Sequence, residues 1–309
     1  MTVRPQGDYA LAATLGCGQT FRFRQTDSGF LGACGDLVMH INPHKEWLSI
    51  RFVADGGDIS RVTDFLDLAH DVREPAHESL LFLCSRFPQH ARRLRSVFAY
   101  SRGVHLLRQP ILETLIGYLF SVQSTVGLVG RRLETLARLF PSNCRTVAGT
   151  ALYTFPSVEQ LRTLTEDAVA GLRLGYRSTW FLEMLKSLPD EVTLQALGEL
   201  CPGERQDYFR QFAGVGPKVA ACIDLFAYGN DRAFPIDVWV ERGLRHVLGM
   251  SPAEIKALRR NPADILGPHC GLFGEYLFRY ERDMNGVEGA PPVTGDELTL
   301  ARRSSDTSC

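Results

Sequence analysis

The spacing of apolar residues changes near residue 109. Before it, the apolar runs are short or alternating: Gly18 to Phe23, Phe30 to Ala33, Leu37 to Ile41 and Trp47 to Val53 each read as a strand. Turn residues separate them at Asp27-Ser28-Gly29 and Gly35-Asp36, and Asp55-Gly56-Gly57 closes the last. Strands joined this closely predict an antiparallel meander. Ser79 to Arg86 and His90 to Tyr100 then read as helices.

From Pro110 onward the period is helical. Proline suits a helix start, where its missing N–H costs nothing. Ile111 to Ser124 is apolar almost throughout, which predicts a buried helix. Leu128 to Phe140 is amphipathic, carries arginines and stops at Pro141. Further helices are read at 158–164, 166–172, 176–188, 193–200, 206–212, 217–227, 238–248, 252–260 and 272–284. Residues 286–309 are polar and rich in Gly, Pro, Ser and Thr, the composition of a disordered tail.

Composition adds limits to this pattern. The 309 residues are 45% hydrophobic and 22% charged, an ordinary globular balance with room for about two domains. No apolar run approaches the roughly 18 residues of a membrane span. The N-terminus has no charged segment leading into a long apolar core, so no signal peptide is read. A cytoplasmic or nucleoid-associated location (nuclear in a eukaryote) is the expectation. Net charge is −1, but it is unevenly spread. Residues 86–145 hold ten Arg against Glu113 and Glu134, whereas 46–78 hold eight acids against three Arg. One basic face is expected. The eight cysteines are scattered without metal-ligand spacing, which fits reduced, buried thiols. Only four lysines occur, at 45, 186, 218 and 256.

The most informative stretch is Phe212-Ala-Gly-Val-Gly-Pro-Lys-Val-Ala-Ala-Cys222. One helix ends, Gly214-Val215-Gly216 turns tightly, and Pro217 opens the next. Backbone N–H groups at such a helix start make an anion site, and on DNA the anion is a phosphate. The bland alternative is a helix corner that binds nothing. Lys218 falls in the first turn, where the helix dipole opposes an ammonium and favours the neutral amine a nucleophile needs. Cys222 shares its helix face. Nineteen residues after Lys218, Asp237 precedes an amphipathic helix. It reads as an N-cap, held rigid and low in pKa, which also suits a base or cation stabiliser.

The run GVGPKVAAC…FPIDVWV resembles the helix–hairpin–helix DNA glycosylases with a Gly/Pro…Asp loop. Lysine after Pro217 points to the branch that also cleaves abasic sites. Gly18-Gln19-Thr20-Phe21-Arg22-Phe23, Arg108-Gln109-Pro110 with Val122-Gln123-Ser124-Thr125, and Leu174-Gly175-Tyr176-Arg177 narrow the likeness to the 8-oxoguanine DNA glycosylase/AP lyase family. It covers roughly residues 8 to 284.

That resemblance implies an α+β protein. A TATA-binding-protein-like antiparallel α/β domain at 1–105 is followed by an all-helical hairpin domain at 106–285 and the tail at 286–309. It implies base excision repair on double-stranded DNA by a monomer, with an oxidised purine, 8-oxoguanine first, flipped into a pocket. Lys218 would displace the base and form a Schiff base, and Asp237 would assist. Gly18 would offer its carbonyl to the lesion, with Cys222 and Phe278 on the two faces of the base. Gly214, Val215, Gly216 and Thr125 would meet DNA, Tyr176 would wedge into the duplex, and Arg177 would meet the orphaned cytosine. No organic cofactor or metal is implied, save a possible monovalent cation at the hairpin carbonyls. The family's edge-reading Gln falls on Gly274, its gap-filling Asn on Thr125, a second cytosine-reading Arg near Gly130 beside Arg131 and Arg132, and a His on Trp239. Relaxed opposite-base preference is therefore expected. The alternatives are an alkylpurine glycosylase of the 3-methyladenine type, which would not need Lys218, and a catalytically silent hairpin protein that binds DNA. An endonuclease III relative is disfavoured because its four-Cys cluster is missing.

Overall fold

The computed structural model describes residues 1–54 and 58–285. The tail at 286–309 lies outside them. Five antiparallel strands run β1 Thr2–Val3, β2 Phe23–Thr26, β3 Gly29–Cys34, β4 Leu37–Pro43 and β5 Leu48–Val53. They form one sheet in the order β1-β5-β4-β3-β2. The register sets Phe30 beside Ile41 and Ile41 beside Ile50. Alternation then sorts the faces. Leu37, Met39 and Ile41 enter a core with Leu11, Leu15, Phe65 and Leu66. Val38 points the other way, towards Val147 and Leu152.

Those last two residues lie on a hairpin that the sequence pattern did not reveal, β6 Cys144–Val147 and β7 Thr150–Tyr153. Ala148 and Gly149 turn it, with φ of 50° and 75°. Two positive φ values are what a two-residue hairpin turn demands, and alanine in the first place is a weak signal for one. The expected strand at 18–23 also differs. Strand structure starts only at Phe23, because Gly18 to Arg22 form a loop pinned by buried side chains.

The helices Arg73–Arg86 and Ala91–Tyr100 pack on Cys270–Asn285, so segments on both sides of residue 105 share one core. At its centre lies the helix Ile111–Ser121, with Leu115, Ile116, Leu119 and Phe120 fully buried. It stops at Ser121, short of the expected Ser124, because Val122 turns extended with a ψ of 119° and Gln123 follows at a φ of 48°. Its buried Glu113 faces Arg22 at 3.5 Å and accepts from the Gly35 amide at 2.5 Å, joining sheet to helices. No helix among the described residues is long and apolar enough to cross a membrane.

Candidate active site

The hairpin lies between the helices Pro202–Phe209 and Pro217–Phe226. Gly214 has a φ of 82°, and a Cβ there would run into the Trp180 ring and lie 2.7 Å from Leu119. Only glycine fits. Val215 plugs the turn into the core, and its amide donates to Phe212 at 3.0 Å. Gly216, the N-cap of the second helix, is exposed and supplies no side-chain cap, so the first-turn N–H groups are left for an outside acceptor.

Lys218 is half-buried in that first turn. Its Nζ stands 4.9 Å from the centre of the Tyr118 ring, on the helix Ile111–Ser121. The Tyr118 hydroxyl donates to the Gln19 carbonyl at 3.2 Å. Gln19 is itself fixed: its Nε2 donates to His105 at 2.8 Å, its Oε1 accepts from the Leu107 amide at 2.8 Å, and its carbonyl accepts from Gln109 at 2.7 Å. The ring under the amine and the loop carrying Gly18 are therefore held by one hydrogen-bonded chain of buried groups.

Asp237 caps the helix Val238–Leu248. Its Oδ1 accepts from Trp239 at 2.9 Å and Val240 at 2.8 Å. Its pKa is not the low one that a helix cap alone predicts. Burial raises this carboxyl above its ordinary value, outweighing the two amides and the nearby Lys218 cation. Cys222 is buried beside Lys218, and burial pushes its thiol up to about 12, so it is a neutral packing group. Tyr118 lies in the field of Cys222, Glu275, Cys17 and Asp237, which places these groups around one small volume.

Gly18 has a φ of 100°, and a Cβ on it would meet the Phe278 ring at 3.2 Å and Val126 at 3.4 Å. The structure thus brings Gly18, Phe278, Cys222, Lys218 and Asp237 to one site. Two residues the sequence reading did not single out stand with them. Tyr118 supports the amine. Glu275 is a buried carboxyl whose Oε1 accepts no hydrogen bond.

The expected DNA-facing residues divide. Tyr176 is 49% exposed, and its hydroxyl donates to Gln123 Oε1 at 2.8 Å. Gln123, held at positive φ, is a third residue the reading missed as a site member; its strained backbone is the signal that marks it. Thr125 is exposed and caps the helix Val126–Arg138. Arg177 departs from expectation. It is buried, and its guanidinium donates to the carbonyls of Val122 at 2.6 Å, Leu174 at 3.0 Å and Gln123 at 2.8 Å. In this structure it holds the loop under Tyr176 and does not face solvent. Beside it, Arg132 sits below its ordinary pKa through burial and the charges of Arg177 and Arg131, and Arg131 is exposed. This is a locally basic surface.

The departures from the family pattern have physical reasons. A Cβ at Gly130 would strike the Phe21 carbonyl, so no arginine fits at that position. A Cβ at Gly274 would meet the Phe234 ring at 2.9 Å. Trp239 takes the expected His position, and Arg242 stacks over its ring at 5.6 Å. Among the described residues no cluster of His, Cys, Asp and Glu could hold a metal.

Residues 2–115 match the family described as 8-oxoguanine DNA glycosylase, N-terminal domain. A Methanothermobacter thermautotrophicus protein named probable N-glycosylase/DNA lyase is 28% identical over 167 residues, 48% of this chain and 53% of its own. The match thus spans about half the length of that relative. The Arabidopsis thaliana N-glycosylase/DNA lyase OGG1 is 26% identical over 286 residues, 87% of this chain and 74% of its own. The crystal structure of Clostridium acetobutylicum 8-oxoguanine glycosylase/lyase, solved with double-stranded DNA, superposes with a TM-score of 0.79 at 23% identity. It covers 92% of this chain and 98% of that one, and shares its fold.

Proposed function

We propose, for a chain of the 8-oxoguanine DNA glycosylase family, that it excises an oxidised purine, 8-oxoguanine first, from double-stranded DNA and then nicks the strand at the abasic site. The observation that carries this reading is the meeting of Lys218 and Asp237, each at a helix N-terminus, beside the slot between Gly18 and Phe278.

The hairpin amides bind a phosphate while Tyr176, poised over Gln123, enters the stack as the damaged base swings out. The base enters between Cys222 and Phe278. The Gly18 carbonyl accepts the N7–H that 8-oxoguanine has and guanine lacks. Lys218 attacks C1′ as a neutral amine. The C1′–N bond breaks, its electron pair leaves with the base, and the base takes up a proton. Ionised Asp237 stabilises the positive charge developing on the sugar. The attached amine loses its protons as the sugar ring opens to a Schiff base. Removal of a C2′ proton then expels the 3′ phosphate, and water releases Lys218.

The turn 213–216 contains no carboxylate, so a cation there would meet neutral backbone oxygens, a donor set that fits a monovalent ion. The residues that would hold it are Ala213 to Gly216. No step of the reaction is routed through it.

Gly130 excludes an arginine and Arg177 is committed to backbone carbonyls, so a relaxed preference for the opposite base belongs to the reading. We place the enzyme on DNA as a monomer. Single-turnover assays on duplexes with 8-oxoguanine, an alkylated purine or an abasic site test all of this. The lesion is placed opposite each of the four bases. Nicked product from 8-oxoguanine opposite all four is expected. Cleavage of the alkylated purine alone, without a nick, contradicts it, and a strict cytosine requirement contradicts the relaxed preference.

A further inference from the structure

Glu275 is a buried carboxyl in the site that the reaction above leaves unused. It lies on the helix Cys270–Asn285, is 8% exposed, and its Oε1 has no hydrogen-bond partner. Buried polar atoms in native proteins are nearly always bonded, so an orphan oxygen beside the site calls for a partner that the free protein does not supply. The surroundings say where it points. The Cys17 thiol, which donates to the Thr14 carbonyl at 3.1 Å, lies close enough to act on the carboxyl, and Cys17 precedes Gly18. Phe278, three residues along the same helix face, stands against Gly18. Lys218 and Asp237 both act on the carboxyl electrostatically. The preceding position is closed to any side chain, because the Phe234 ring fills the space a Cβ on Gly274 would need.

We propose that Glu275 reads the edge of the extruded base, as a carboxylate acceptor that selects purines presenting two adjacent N–H donors, the N1–H and 2-amino group of a guanine-type base. An adenine-type base offers one amino donor beside a bare N1 lone pair, which repels the second carboxylate oxygen. Burial pushes the Glu275 carboxyl up to about 7 in the free protein. Two N–H donors then favour its ionised form on binding. The orphan oxygen thus finds its partner only when the right base arrives, and the wrong base leaves a buried charge unpaired.

This inference rests on the excision reading, so its test separates the two. The full chain, Glu275→Gln and Glu275→Ala are compared in single-turnover excision of 8-oxoguanine and of 8-oxoadenine, with nicking of a ready-made abasic site as control. Both variants are expected to lose about 100-fold on 8-oxoguanine, the scale seen when a site built to bond a group loses that bond. Glu275→Gln, which keeps one acceptor and gains a donor, is expected to lower the ratio of 8-oxoguanine to 8-oxoadenine excision by about tenfold or more. Abasic-site nicking stays within about threefold of the parent, since no base is read. An unchanged base ratio in both variants overturns the inference. So does a fall in abasic nicking that matches the fall in excision, because that is a structural defect. A parent chain that neither excises 8-oxoguanine nor nicks abasic sites overturns the excision reading and this inference together.

Discussion

The ring of Phe278 stands 3.2 Å from the point where a side chain on Gly18 would begin. Nothing but a hydrogen fits between them in the free protein, and in the proposed reaction the base packs on the Phe278 ring beside this point. Gly18→Ala places a methyl in the slot at a φ of 100°, which strains alanine. Base excision is expected to fall by about 100-fold or more, as misplacement of about 1 Å does elsewhere. Nicking of a ready-made abasic site should change by no more than about threefold. Equal loss of both in single-turnover assays contradicts the slot.

Asp237 does two things with one side chain. Its Oδ1 caps a helix, and its charge faces Lys218. Asn keeps the acceptor and removes the charge. Asp237→Asn should therefore stay within about 0.5 kcal/mol of the parent in denaturant unfolding, while Asp237→Ala loses about 1 kcal/mol. Excision should fall about 100-fold or more in both. Because burial raises this carboxyl, the parent should lose activity on acidification from a pH above the ordinary Asp range. The asparagine variant should lack that limb in its pH–rate profile. An acid limb unchanged in Asp237→Asn would assign it to another group.

Glu275 makes the free protein sensitive to alkali. Its carboxyl rises from 4.5 to about 7 on folding, so between those values the folded state holds the proton more tightly than the unfolded chain. Stability conferred by that proton is full below pH 4.5 and drains away as the pH rises through about 7. The loss is about 3 kcal/mol at most, since each tenfold gain in proton affinity on folding is worth about 1.4 kcal/mol. Glu275→Gln removes the titration. Denaturant unfolding at about pH 5 and about pH 8 should show the variant gaining on the parent by that order as the pH rises. Parallel pH slopes for the two proteins contradict the placement.

Tyr176 and Arg177 are neighbours with separate tasks. Arg177 donates to three carbonyls under the loop, whereas Tyr176 presents its ring outward. Arg177→Ala should cost about 3 kcal/mol of stability, because buried carbonyls lose charged donors. Tyr176→Ala should cost under about 1 kcal/mol and weaken binding to lesion-bearing duplex. Unfolding curves and DNA titrations of both variants decide this. A neutral Arg177→Ala unfolding curve sinks the structural role given to that side chain.

How much of this was legible beforehand follows from how local each signal is. The turn, Lys218 and the cap at Asp237 are written in short local stretches, and the helices open at Pro217 and Val238 where the spacing puts them, although the helix before the turn ends at Phe209 and not at the expected Phe212. The antiparallel order of β2 to β5 follows from the turns between the strands. The pKa direction of Asp237 was not legible, because burial by the surrounding helices is a tertiary effect. Gln19 looked like a strand residue, since its partners His105, Leu107 and Gln109 lie more than eighty positions away. Glu275 falls within the helix read at 272–284, with no neighbouring residue that marks it. Only folding brings Cys17, Lys218 and Asp237 around it.

In the proposed reaction the Lys218 amine becomes covalently attached to the sugar. Incubation of the protein with a lesion-bearing duplex and borohydride tests it directly, since borohydride reduces a Schiff base to a stable link. A trapped protein–DNA adduct is expected from the parent and from Glu275→Gln on an abasic duplex, and none from Lys218→Gln. An adduct of equal yield in Lys218→Gln, or no adduct from the parent, contradicts the account.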